Sequence, residues 1–162
     1  MKLLIKLTKI SLTDHRFEYL REDATGEKLE LETKGFLFHD LLHFAVESEA
    51  KLVDSFYGLL YKNKKYEDLI PKQNENGSNY FDGEAGMTEK IVGPLSSLIK
   101  DGVTAQDFLS GMQNMLDAYG QEKPDWLTLE FIGNVKERMR KLLGEWKALP
   151  FGKTMELIFE IK

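Results

Sequence analysis

Two of the chain's three histidines stand four residues apart, in His39-Asp40-Leu41-Leu42-His43, and Glu47 follows after four more. On a helix, residues at i and i+4 share a face, so His39, His43 and Glu47 form one line of potential donors. Two neutral imidazoles and a carboxylate suit a divalent metal such as zinc, with iron, nickel and copper also within the range of imidazole ligands. Asp40, beside the first imidazole, is the candidate either to orient a histidine or to act as a base. His15 is the only further imidazole that could join them.

The spacing His39-x-x-x-His43 is that of the zinc-protease His-Glu-x-x-His motif, but Asp40 occupies the place of the general-base Glu and is one methylene shorter. The pair His39-Asp40 also opens like the His-Asp dyad of metal phosphohydrolases, without the outlying ligands those enzymes use. Membership in neither family follows. On a helical wheel both histidines fall at the border of the apolar stripe. A core-edge histidine bonded to a backbone carbonyl is the plain alternative.

Glu49 is the second candidate for chemistry. The same wheel puts it in the middle of the apolar stripe, with Phe38, Leu42, Val53 and Phe56. A buried carboxylate is costly unless paired or protonated. The pattern therefore predicts a partner, Arg138 or a tyrosine, or else a carboxyl of raised pKa lining a pocket. Lys136, Arg138, Arg140 and Lys141 make a basic side on the last helix. Glu137 and Glu145, each four residues from Lys141, predict a solvated, ion-paired face rather than a phosphate site.

These residues need elements to position them. Leu3, Ile5 and Leu7 alternate with Lys6 and Thr8, Phe17 and Tyr19 with Arg16 and Glu18, and Leu29 and Leu31 with Lys28, Glu30 and Glu32. Period-two alternation predicts three strands with one apolar and one wet face, over 2–10, 15–21 and 27–33. Asp23-Ala24-Thr25-Gly26 predicts a tight turn in which the glycine takes positive φ. Residues 36–60 change to three- and four-residue steps and predict one long central helix. A polar, turn-rich stretch follows, with a short helix at 65–70 before Pro71 and a flexible loop at about 71–87. Thr88 is expected to cap a helix over 89–100 that Pro94 kinks or divides. Thr104 with Asp107 caps the next helix, which ends at Gly120, and Asp125 or Thr128 starts the last. Residues 154–161 alternate again and predict a final strand. The simplest closure is an α+β fold in two layers: an antiparallel sheet of the three N-terminal strands plus the C-terminal one, packed on four or five helices.

Composition bounds the function. The 162 residues predict a single domain, 1–162, and 42% hydrophobic with 30% charged residues is the balance of a soluble globular chain. The net charge of −5 argues against nucleic acid, which demands surplus cations to neutralise phosphates. No apolar run is long enough to cross a membrane. The N-terminus opens like a signal peptide, but Lys6 and Lys9 break it and no cleavage site follows, so the expected location is cytoplasmic. With no cysteine, disulfides, thiolate metal sites and cysteine nucleophiles are all excluded. Glycine-rich phosphate loops, the dinucleotide fingerprint and the nucleophile elbow are missing too. Three readings remain. The first is a non-enzymatic or partner-binding protein, with a homodimer as one form. The second is a metal-binding protein or metal-assisted hydrolase using His39, His43 and Glu47. The third is a binder of an unidentified small molecule in a pocket between sheet and helices.

Overall fold

The computed structural model describes residues 1–70 and 83–162. Strands β1 (Lys2–Lys9), β2 (Asp14–Leu20), β3 (Gly26–Glu32) and β4 (Thr154–Glu160) form one antiparallel sheet in the order β3-β2-β1-β4. The register aligns like with like. Leu3 faces Phe159, Ile5 lies between Leu157 and Tyr19, and Leu7 between Met155 and Phe17, all buried. On the wet face the pairs Lys2–Glu160, Lys6–Glu156, Arg16–Glu30 and Lys28–Glu18 cross from strand to strand. Each such exposed pair contributes at most about 1 kcal/mol. Their main effect is on register, because a one-residue slip would send charge into the core.

The β2–β3 turn differs from expectation in one respect. The left-handed residue is Ala24, at φ 64°, and the side chain of Asp23 holds the turn by accepting from the backbone N–H of Thr25. Gly26 is needed for space: a Cβ there would lie 1.8 Å from the Tyr19 carbonyl oxygen.

Among the described residues six helices follow: α1 (Thr33–Ala50), α2 (Phe56–Tyr61), α3 (Tyr66–Leu69), α4 (Gly83–Asp101), α5 (Ala105–Ala118) and α6 (Leu129–Ala148). Helices α1 and α2 pack on the apolar face of the sheet and α4 and α6 pack on α1, giving the expected α+β architecture. Helix α1 contacts the sheet on one side and α4 and α6 on others. Its middle, from Asp40 to Glu47, is therefore buried all round.

The single helix expected over 36–60 is in fact two. Lys51 closes α1 in the left-handed conformation, φ 56°, donating its N–H to the Glu47 carbonyl. The chain turns back into α2 under Gly58, where a Cβ would collide with the Val53 carbonyl at 2.2 Å. Helix α4 also departs from expectation. It starts at Gly83, so residues 83–87 are helical and Thr88 lies inside it, bonding back to the Glu84 carbonyl. The rest of the expected loop, 71–82, lies outside the described residues. The helix runs through Pro94 unbroken. Pro94 is exposed, so the carbonyl it deprives of a partner can turn to water, while Ile91, Leu95 and Leu98 bury both halves. Thr104 and Thr128 cap α5 and α6 through the N–H groups of Asp107 and Phe131.

Candidate metal centre

Helix α1 carries His39 and His43 one turn apart, with ring centroids separated by 4.5 Å. His43 is 1% exposed. Its Nδ1 donates to Glu47 Oε2 at 2.9 Å, and its Nε2 lies 2.9 Å from Oε1 of Glu89, which comes from the second turn of α4. The Nε2 contact is short but off the N–H direction, so this buried atom makes no properly angled hydrogen bond. His39 repeats the arrangement more loosely. Its Nδ1 donates to Asp40 Oδ1 at 3.3 Å, and its Nε2 stands 3.8 Å from Glu89 Oε2. Each imidazole thus has a carboxylate behind Nδ1, and both Nε2 atoms address one further carboxylate. One ligand atom each from His39, His43 and Glu89 all lie within 4.8 Å of one another. Bonds of about 2.0–2.1 Å to a common ion would require them to draw somewhat closer.

The supporting carboxylates are themselves held. Glu47 is fully buried, and its second oxygen, Oε1, accepts the backbone N–H of Tyr57 at 2.9 Å. Tyr57 donates its phenol to the Asp40 carbonyl at 2.7 Å, and Tyr66 donates its own to Asp40 Oδ2 at 2.8 Å. Glu27 of β3 accepts the Tyr66 backbone N–H and the Tyr19 phenol, tying α3 to the sheet. Phe56 packs on the His43 ring at 5.4 Å.

Electrostatically the cluster is a buried cation among carboxylates. Burial opposes charge on His43, but its hydrogen bond to Glu47 and the charges of Glu47 and Glu89 prevail and lift its pKa to about 10. His39 is raised as well: burial works against its charge, and Asp40 and Glu89 outweigh it. Glu89 resists the effect of its own burial, and the two histidines pull it down to about 2. Glu47 goes the other way, raised by complete burial despite His43 and the Tyr57 N–H.

The sequence candidates are distributed as follows. His39 and His43 lie together. Glu47 is beside them, but its oxygens are engaged by His43 and Tyr57, and the carboxylate that completes the group is Glu89. Asp40 backs His39 rather than standing free. His15 is buried on β2, with Nδ1 3.0 Å from Thr33 Oγ1 and its ring edge-on to Trp146, outside the group. Burial lowers its pKa. Glu49 is not in the core: its side chain is 21% exposed, and it accepts from Arg138 Nε and Nη2 at 3.0 and 2.6 Å. Arg138 was among its expected partners. The basic side of α6 is ion-paired, with Glu137 engaging Arg140 and Lys141. Glu89 was missed because it belongs to a different helix, 46 positions beyond His43, and no local spacing links the two.

Comparison with known proteins yields no match: no family model, no curated protein and no solved structure is similar to this chain.

Proposed function

We propose that this chain binds a divalent transition-metal ion through Nε2 of His39, Nε2 of His43 and the carboxylate of Glu89. The supporting observation is the convergence of two carboxylate-backed imidazoles on a third carboxylate. In metal sites the second nitrogen of a ligating histidine is commonly held by a carboxylate, which fixes the tautomer and raises ligand basicity. Asp40 and Glu47 are placed for that task.

Two nitrogens and one carboxylate, with no thiolate, favour zinc, iron(II), cobalt(II) or nickel over copper(I) and over the oxygen-seeking calcium and magnesium. Three protein donors leave coordination positions for an outside molecule. The proposal ends at metal binding and does not extend to hydrolysis. Asp40 and Glu47, the carboxylates close enough to serve as a base, are committed to His39, His43, Tyr57 and Tyr66.

The test is a titration of chelator-treated protein with cobalt(II) and zinc, with elemental analysis of the washed product. One equivalent retained by the wild type, and lost in His39→Ala and Glu89→Gln, is the expected result. A wild type that retains neither metal would leave the cluster as a buried ion-pair network and end the proposal.

A further inference from the structure

Among the described residues, the group of His39, His43 and Glu89 is most accessible at His39. His39 is 32% exposed, against 11% for Glu89 and 1% for His43. A molecule reaching the ion from solution therefore arrives past His39. His39 also borders an open cleft with about 200 Å³ of space, lined with it by Gly35, Phe36, Asp40, Phe56, Tyr66 and Ile70. This is smaller than the roughly 300–1,000 Å³ of a drug-sized site and suits a molecule of one or two rings. Phe56 joins cleft and centre, bordering the one and packing on the His43 ring of the other.

The lining has a definite chemistry. Phe36, Phe56 and Ile70 make apolar walls. The Asp40 carboxylate and the Tyr66 phenol already satisfy each other. Among the described residues that line it there is no lysine or arginine. An anion entering here would meet no side-chain cation of the lining and would face Asp40, with Glu47 and Glu89 close behind. The carboxylates of Asp40 and Glu89 already offset the two charges of a divalent ion. A phosphate ester or a polycarboxylate is therefore disfavoured, whereas an uncharged molecule loses nothing electrostatically and gains by burying apolar surface.

Building on the metal reading, we propose that the cleft binds a small uncharged molecule with an aromatic or aliphatic body and a single nitrogen or oxygen donor. The donor binds the ion beside His39, and the body lies against Phe36 and Phe56.

The test uses the cobalt(II)-loaded protein at pH 8, following the visible bands of the ion with three probes: imidazole, 4-phenylimidazole and inorganic phosphate. The phenyl ring is expected to tighten binding about tenfold or more relative to imidazole, as burying one aromatic ring does. Phosphate at millimolar concentration is expected to leave the bands unchanged. Phe36→Ala is expected to erase most of the phenyl advantage while cobalt affinity stays within about twofold. Equal affinity for the two imidazoles, or tighter binding of phosphate, would overturn the cleft assignment and leave the metal centre standing. Failure of the protein to take up cobalt at all would overturn both.

Discussion

Glu47 and Glu89 sit on opposite sides of one imidazole and have opposite fates. Both are mostly or wholly buried, yet Glu89 is held ionised by two histidines while burial dominates at Glu47. Glu47→Gln removes the charge behind His43 and leaves one acceptor oxygen for two donors, His43 Nδ1 and the Tyr57 N–H. It is expected to fold and to bind metal about 10- to 100-fold more weakly, which isothermal titration would read directly. An unchanged affinity would mean that Glu47 does not orient the ligand. The metal-free protein makes a second prediction. The folded pKa of His43 is raised from 6.5 to about 10, so its stabilisation is complete below about pH 6.5 and is lost as pH rises through 10. That of Glu89 is lowered from 4.5 to about 2, so its stabilisation is present above pH 4.5 and is lost as pH falls through 2. These are largely one interaction seen from its two ends. The melting temperature of chelated protein is expected to fall from pH 6.5 toward 10, and His43→Gln is expected to flatten that slope. Glu49 yields a third prediction. Its pair with Arg138 is partly exposed, so Glu49→Ala is expected to cost about 1 kcal/mol or less in chemical denaturation, well short of the ~3–5 kcal/mol for breaking a fully buried pair.

At the scale of elements, the strands were the most legible part. Each alternates apolar and charged residues, and the charges of one strand find partners on the next, so both strand and face follow from a period of two. Caps on α5 and α6 were equally readable, because Thr104 and Thr128 perform a local job with local partners. Helix α1 was not. Its central turns contact the sheet and other helices at once, so apolar residues there are not confined to one stripe and the helical phase carries little information. That is why Glu49 was placed in the core and His43 at its edge. The break at Lys51 was equally hidden, as it uses neither glycine nor proline. Glu89 depends on how α4 packs against α1, and Tyr57 and Tyr66 on the return of the chain after Lys51. Such long-range placements leave no local pattern. Proline inside a helix costs ~3 kcal/mol or more in propensity, and Pro94 is exposed with the helix intact around it. Pro94→Ala is therefore expected to raise the melting temperature, with metal affinity within about twofold. A loss of metal binding instead would show that Pro94 sets the position of Glu89.

Across the whole molecule, the two chain ends meet in the sheet: β1 is central, with β2 on one side and β4 on the other. The β4 side chains Met155, Leu157 and Phe159 are buried, and Phe159 packs against Phe44 of α1 and Tyr57 of α2. The last strand thus buttresses α1, which carries both histidines, and α2, whose Tyr57 N–H holds Glu47. Removing it would bare both apolar core and an unpaired edge of β1. No helix among the described residues is long and apolar enough to cross a membrane. The central claim is that α1 and α4 together hold a metal ion. A ligand that binds only the folded state stabilises it by mass action, by about 2.7 kcal/mol at a hundred times its dissociation constant. For a chain of this size that is a rise of roughly 5–10 °C in melting temperature. The most direct measurement compares zinc-dependent melting of the chelator-treated wild type and of Glu89→Gln, which keeps the shape of the side chain and loses its charge. The account predicts a zinc-induced rise in the wild type that is absent or much smaller in Glu89→Gln. No rise in the wild type, or the same rise in both, would contradict it.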